Sequence, residues 1–171
     1  NLKRTWSSGT STDRSHGILF SDFNSSMATI YADRTNSGAN YNSDLLFATN
    51  TGTNGTSLST KMIIENTGNV GIGTTSPASN CEISDSTQAT GATLSITNAH
   101  SGSWASGDKI GSIDFRIDDA STTEPVRAKI HTEGLTTGTY PSSSQLVFST
   151  ANANTLSERM RINSSGNVGI G

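Results

Sequence analysis

Apolar and polar residues alternate along many short stretches of the chain, which is the pattern of half-buried β-strands. In the clearest stretch, Ile113, Phe115 and Ile117 alternate with charged residues. The same pattern predicts further strands at 18–20, 28–32, 45–48, 61–64, 81–83, 92–96, 126–130, 145–148 and 159–162. Ser, Thr, Asn and Gly fill the stretches between them and predict turns and loops. No window has a sustained helical period, so the sequence predicts an all-β fold.

One strand-turn-strand pattern occurs twice, at 62–73 and at 160–171. Both copies end in Gly-Asn-Val-Gly-Ile-Gly, and we call 68–73 the first coda and 166–171 the second coda. Stretches upstream of the first coda also match stretches upstream of the second, but the spacing between matched stretches differs. We therefore expect insertions and deletions to lie in the loops between the strands. We therefore predict two tandem repeats of short antiparallel strands, 1–77 and 78–171. Pro77 marks the boundary, because proline donates no hydrogen bond to a sheet and should stop it.

The predicted strands each offer a single narrow apolar face. Apolar residues make up 31% of the chain, and the 17 glycines add no side chains to a core. Such a composition gives thin cores. A subunit with one narrow apolar face per sheet normally buries it against copies of itself, so each sheet is expected to form one wall of a prism.

Charge and cysteine content exclude several classes of function. The net charge of −3 leaves no basic surface for nucleic acid. Cys81 is the only cysteine, so neither an intrachain disulfide nor a cysteine metal site is expected. No apolar run is long enough to cross a membrane, and no leader begins the chain. We expect no cofactor, no metal and no membrane insertion. The chain lacks an initiator Met and stops inside a coda, so we expect it to be a segment of a longer protein.

The codas resemble the repeats of bacteriophage tail fibres and related virion fibre proteins. The resemblance includes Thr-Thr-Ser-Pro after the first coda and the stretches 111–115, 128–130 and 146–150, and it covers nearly the whole chain. It implies an intertwined homotrimer, shaped as a β-prism or a β-helix-like fibre, on the virion. Implied partners are other fibre or baseplate proteins. The family often carries a C-terminal self-cleaving chaperone domain, of which this sequence shows no sign.

The codas fit a trimer axis in physical terms. Their glycines would let three backbones approach closely, while the Val and Ile side chains point into the axis. The predicted axis residues are Val70, Gly71, Ile72, Gly73, Val168, Gly169 and Ile170, with Gly171 as a further candidate. The alternative is that these glycines are ordinary turns in a monomeric β-sandwich.

Aromatic residues in the predicted loops are candidates for contact with host glycans. Flat rings stack on sugar faces at a low entropic cost. By position these residues are Tyr41, Trp104 and Tyr140, and the alternative for each is packing over its own loop. The three histidines, His16, His100 and His131, lie on separate segments, and the alternation with Lys129 places His131 on the solvent face.

Catalytic patterns are weak in this sequence. Asp118, Asp119 and Glu124 could form a carboxylate pair for glycan hydrolysis or ligate Ca²⁺, but a solvated hairpin loop explains them better. The glycines of the first coda do not form a phosphate loop, because no helix pattern follows them. We expect a non-enzymatic structural segment, a shaft or adhesin that supports host attachment. Two alternatives stay open: a fibre segment that itself binds host surface glycans, and a polysaccharide depolymerase.

Overall fold

The computed structural model describes residues 16–22, 25–34, 42–52, 57–87, 89–118 and 125–171. These ranges contain strands and no helix. In chain order the strands are β1 His16–Ser21, β2 Ser26–Arg34, β3 Ser43–Asn50, β4 Leu58–Ile64, β5 Val70–Ile72, β6 Cys81–Ile83, β7 Lys109–Arg116, β8 Val126–Gly134, β9 Ser144–Asn152, β10 Thr155–Ile162 and β11 Val168–Ile170. The chain forms two compact units that divide between Leu94 and Ser95. The prediction of an all-β chain is confirmed for the described residues.

The first sheet contains six strands in the order β1-β2-β3-β4-β5-β6. Neighbours are antiparallel except β5 and β6, which are parallel. The expectation that Pro77 stops the sheet is wrong, because β6 joins the sheet after it. Pro77 is buried in the β5–β6 connection, where no ladder bond needs its missing N–H, and its carbonyl accepts a bond from Asn69 Nδ2 at 3.3 Å. The compact units thus divide later in the chain than the predicted repeats, whose boundary at 77 stays a prediction.

The second sheet contains five strands in the order β11-β10-β9-β8-β7, and all neighbours are antiparallel. The strand predicted at 92–96 is absent, and Leu94 is 66% exposed. The segment contacts β7 through side chains instead. A Cβ built on Gly111 would lie 2.9 Å from Ile96 Cγ2, and Asn98 Nδ2 donates to the carbonyl of Lys109 at 3.0 Å. Asn98 therefore takes an acceptor that a neighbouring strand would otherwise use.

The two codas close hairpins of the same geometry. Gly68 has φ +94° and Gly166 has φ +82°, the left-handed conformation that favours glycine. Their amides donate to the carbonyls of Glu65 at 2.8 Å and Asn163 at 3.0 Å. Upstream of each turn, the pairing with the preceding strand shifts by one residue, which is a β-bulge at Lys61 and at Arg159. The two repeats are thus alike in their backbone hydrogen bonds as well as in their sequences.

Candidate functional site

A continuous apolar row crosses the first sheet. Residues directly opposite one another on paired strands share a sheet face. The register aligns Ile18, Ile30, Phe47, Met62 and Ile72 in this way across β1 to β5, and Ile83 continues the row on β6. We call the face that carries this row the front face and the opposite one the back face.

The second sheet carries the same row at the equivalent positions. Its members are Ile113, Ile130, Phe148, Met160 and Ile170, aligned across β7 to β11. A neighbouring row also repeats, with Leu45, Ile64 and Val70 in the first sheet and Leu146, Ile162 and Val168 in the second. The front faces of the two sheets are therefore built from the same side chains in the same arrangement.

The front faces are partly exposed in the part of the chain that the structure describes. Ile18 and Ile113 at the outer ends of the two rows are 45% and 47% exposed, and the central Phe47 and Phe148 are only half-buried. Aromatic and branched apolar side chains in one contiguous patch mark a surface for packing against another protein surface. Such a surface binds by shape and apolar area.

The predicted axis residues divide between the two faces. Val70 and Ile72, like Val168 and Ile170, belong to the front rows, whereas the middle glycine of each coda lies on the back face. Contacts within the chain already require glycine in the first coda. A Cβ on Gly71 would lie 2.8 Å from the Thr74 carbonyl oxygen, and one on Gly73 would lie 2.0 Å from that of Ser84. A role for these glycines at a trimer axis stays a prediction.

The back face of the first sheet is a small apolar core. Leu46, Ala48 and Ile63 are 7%, 4% and 3% exposed. Tyr31 lies beside them with its hydroxyl 3.4 Å from Thr60 Oγ1. The loop after β5 folds back over this face at Gly71, because a Cβ there would lie against Thr74 and Ile63.

The back face of the second sheet is charged and centres on His131. The prediction that His131 faces solvent is wrong, because its residue is only 7% exposed. The alternation with Lys129 was read correctly, since both lie on one face of β8. However, the long side chains of that face form ion pairs with each other, and Lys129 Nζ lies 3.4 Å from Asp114 Oδ1.

The residues around His131 form one hydrogen-bonded network across β7, β8, β9 and β10. Lys109 Nζ lies 3.1 Å from His131 Nε2 and forms an ion pair with Glu133. Gln145 Nε2 donates to Glu133 Oε1 at 2.6 Å, and Arg161 donates to Gln145 Oε1 at 3.0 Å. An Arg161–Glu158 ion pair extends the network toward solvent. We call these six residues the His131 network.

The network shifts the ionisation of its members. Burial lowers the pKa of His131, and the positive charge of Lys109 lowers it further. Burial opposes ionisation of Glu133, but hydrogen bonds from Lys109 and Gln145 outweigh this effect and its pKa is lowered. The hydrogen bond from Arg161 lowers the pKa of Glu158. At neutral pH the network thus holds a neutral histidine among paired charges, with its Nδ1 buried and without a hydrogen-bond partner.

The three predicted glycan-contact residues have different environments. Trp104 is 7% exposed, which fits the alternative of packing over its own loop. Its backbone forms an isolated bridge with Gly138, and His100 packs against it edge-on with ring centroids 5.5 Å apart. Tyr140 is 71% exposed. Tyr41 lies outside the described residues.

The candidate carboxylate site falls largely outside the described ranges. Asp118 is exposed, whereas Asp119 and Glu124 are among the residues that the structure does not describe. Among the described residues, no group of three or more His, Cys, Asp or Glu could hold a metal ion. The same part of the chain contains no helix that is long and apolar enough to cross a membrane.

The His131 network has no clear signature in the sequence. The available signal was in β8, where Lys129, His131 and Glu133 occupy alternate positions and therefore share one face. Three ionisable residues on one strand face are compatible with a solvated surface, so their partners could be identified only from strand pairing.

The solved structures that are similar to this chain include two of a bacteriophage tail fibre domain. No protein-family model matches this chain, and no curated protein matches its sequence. The carboxy-terminal domain of the bacteriophage T5 L-shaped tail fibre, solved with its intramolecular chaperone domain, is 12% identical with a TM-score of 0.38; the match covers 99% of this chain and 58% of that one. A second structure of the same T5 domain is 12% identical with a TM-score of 0.32, covering 99% of this chain and 84% of the other.

Proposed function

We propose that this chain is a structural segment of a trimeric phage fibre, a shaft or adhesin that supports host attachment. The front faces carry this proposal. In the fibre, the front face of each sheet packs against the front faces of two other copies around the fibre axis. The sequence resemblance to virion fibre repeats supplies the fibre context, and the uncovered apolar rows supply the surface that an assembly would bury.

The energetics favour burial of the front faces. Each large apolar side chain gains roughly 1.5–3 kcal/mol when it becomes fully buried. A trimer would bury a row from each of the two sheets in every subunit. Association would also help to protect the edges of the sheets, which a monomer leaves open to unwanted strand pairing. In this role the protein catalyses no reaction, resides on the virion, and has other fibre or baseplate proteins as neighbours.

The native mass of the purified chain tests this proposal. Light scattering should give a mass near three times 17.8 kDa. Phe47→Asp and Phe148→Asp each place a charge at the centre of a row and should shift the mass toward that of a monomer. Ser165→Asp adds the same charge at an exposed turn position and should leave the trimer intact. A native chain that is a stable monomer would contradict the proposal.

Host glycan binding by the same segment is a second candidate function, favoured by Tyr140. This exposed ring lies in a loop that backbone hydrogen bonds order on both sides. Trp104 and Gly138 exchange two such bonds at 2.7 and 3.1 Å, and Leu135 N donates to the Ser143 carbonyl at 2.9 Å. An ordered exposed tyrosine is suited to stack on a sugar face. If it binds glycan, Tyr140→Ala should abolish binding to host surface polysaccharide while the native mass stays unchanged.

A further inference from the structure

The front faces of the two sheets match residue for residue over most of their area. Phe47 and Phe148 lie at the centres of equivalent rows, and Phe20 and Phe115 on the outer strands each lie opposite an alanine. The apolar contacts that one front face offers are therefore also offered by the other. Because a difference in affinity decides which surfaces pair, these matching residues do not tell a first sheet from a second.

The two front faces differ at a corner on their outer strands. In the second sheet, Gly111 lies opposite Thr132, which lies opposite the front-face residue Leu146. The equivalent corner of the first sheet has His16 opposite Ala32. Because glycine has no side chain, Gly111 leaves a notch in the edge of the second front face.

Ile96 occupies this notch from outside the sheet. A Cβ built on Gly111 would lie 2.9 Å from Ile96 Cγ2 and 3.3 Å from the Ile96 carbonyl oxygen. Gly111 aligns with front-face residues, so Ile96 lies on the front side of β7. Two residues later, Asn98 Nδ2 donates to the Lys109 carbonyl at 3.0 Å and ties the segment to β7. The second front face thus gains an isoleucine that belongs to no strand.

The contact with Gly111 covers Ile96 only in part. The residue is 47% exposed, the same fraction as Ile113, which lies on the front face of β7. One side of Ile96 therefore rests on the sheet, and another side remains open beside the apolar row. Any surface that packs on this part of the second front face also has to pack on Ile96.

We propose that Ile96, held in the Gly111 notch, selects the register in which copies assemble, so that second sheets pack against second sheets. This inference rests on the proposed trimer and names the residue that sets its alignment. In a matched assembly, every second sheet meets surfaces that carry the same isoleucine. In a staggered assembly, Ile96 meets a first sheet, whose equivalent corner has His16 opposite Ala32.

A staggered assembly differs from a matched one in size as well. When the first sheet of one copy packs against the second sheet of another, each copy keeps a front face that can bind a further copy. Such an assembly grows with concentration instead of closing at three copies. The register can therefore be measured in two ways, from which units lie together and from the native mass.

Energy transfer between singly labelled copies tests the register. Cys81→Ser removes the exposed native thiol, and Thr67→Cys or Ser165→Cys then introduces a dye at the equivalent exposed turn of the first or the second coda hairpin. Donor and acceptor copies are refolded together. Pairs labelled at the same site should show more transfer than pairs that combine position 67 with position 165.

Two substitutions should remove this preference. Gly111→Val fills the notch and displaces Ile96, whereas Ile96→Ser removes the apolar contact without adding volume, so it keeps the test valid if Gly111→Val does not fold. In both variants the ratio of same-site to mixed-site transfer should fall toward one, and the native mass should rise above three copies with concentration. Thr97→Ser, at the next exposed position of the same segment, is the matched control and should keep the ratio of the parent chain.

Two results would overturn the inference alone: equal same-site and mixed-site transfer in the parent chain, and an unchanged ratio in Ile96→Ser. Both are compatible with a trimer, so the proposed function would survive them. A parent chain that is monomeric shows no transfer in any mixture. That result would contradict the proposed function and this inference together.

Discussion

On the back face of the first sheet, Tyr31, Leu46 and Ile63 lie directly opposite one another. The second sheet places His131, Val147 and Arg161 at the equivalent positions. The front rows of the two sheets, in contrast, have the same apolar composition. One unit therefore covers its back face with apolar packing, and the other covers it with the His131 network.

The difference indicates what constrains each face. A back face has only to be covered by its own unit, and either apolar packing or a satisfied polar network can do this. In the proposed fibre, by contrast, a front face has to match the front faces of other copies. The polar network is more sensitive to solvent conditions than the apolar packing, because its stability depends on pH and salt.

The largest loss of stability should come from a substitution in the apolar back face of the first sheet. Ile63→Ala is expected to destabilise the first unit by about 2–5 kcal/mol, since it leaves a cavity in a buried site. Val147→Ala in the second unit removes fewer atoms and should cost about 2 kcal/mol. Urea unfolding of both variants measures this. Equal losses would show that the apolar core is no more important to the first unit than to the second.

Removal of Glu133 tests the polar back face. Glu133→Ala leaves Lys109 and Gln145 without their shared acceptor and should cost about 1–3 kcal/mol. The matched control is Asp33→Ala in the first sheet, where Asp33 lies opposite Asp44, a second carboxylate. Like charges in that arrangement repel, so the control should leave stability unchanged or slightly raised. A loss in the control as large as that in Glu133→Ala would contradict the comparison.

Acid should destabilise the second unit first. The folded pKa of His131 is lowered from the ordinary 6.5, so the unfolded chain binds the proton more tightly. The neutral His131 contributes its full stabilisation above about pH 6.5 and loses it as pH falls through the folded pKa. Over this range the equilibrium constant for unfolding rises by up to about tenfold for each pH unit. The lowered pKa values of Glu133 and Glu158 act only below about pH 4.5.

His131→Tyr, which installs the first-unit residue, should remove the acid sensitivity between pH 6.5 and 5. His100→Gln, a substitution at a histidine outside the network, should retain it. The measurement is hydrogen exchange of β8 and β9 amides at several pH values. Equal pH dependence in the wild type and in His131→Tyr would show that His131 does not control it.

Added salt should have the smallest effect on the stability of the second unit. Lys109 and Arg161 are partly exposed, so added NaCl screens their ion pairs and should lower the urea midpoint of the second unit slightly, by less than Glu133→Ala does. The first unit, whose back face is apolar, should not weaken with added salt. A decrease of the same size in both units would mean that the His131 network is not the cause.

Local pattern sufficed to predict most of the strands. Alternation identified the regions of β1 to β5 and β7 to β11, and the codas predicted their hairpins because glycine in the turn and apolar residues on both sides are local signals. The prediction failed where pairing between distant segments decides the structure. β6 was predicted as a strand, but its pairing with β5 was not, because no local feature tells a strand which edge it joins.

The site residues were harder to predict for the same reason. Trp104 was a candidate for glycan contact because it lies in a predicted loop, yet the residue is buried and its backbone bridges Gly138. His131 was assigned to the correct strand face but to the wrong environment, since four strands supply the network around it. Exposed single residues such as Tyr140 are simpler, because a position next to Pro141 in a polar loop already favours solvent.

The bulged coda hairpins have a consequence for folding. Two identical codas in one chain could exchange partners, with β4 pairing β11 or β10 pairing β5. A short hairpin forms in about 1–10 μs, whereas pairing between distant segments must first close a long loop. The left-handed glycines at 68 and 166 and the bulges at 61 and 159 fix each hairpin in register locally. Rapid closure of each hairpin therefore favours the native strand pairing, although the identical coda sequences would not by themselves distinguish it from exchanged pairing.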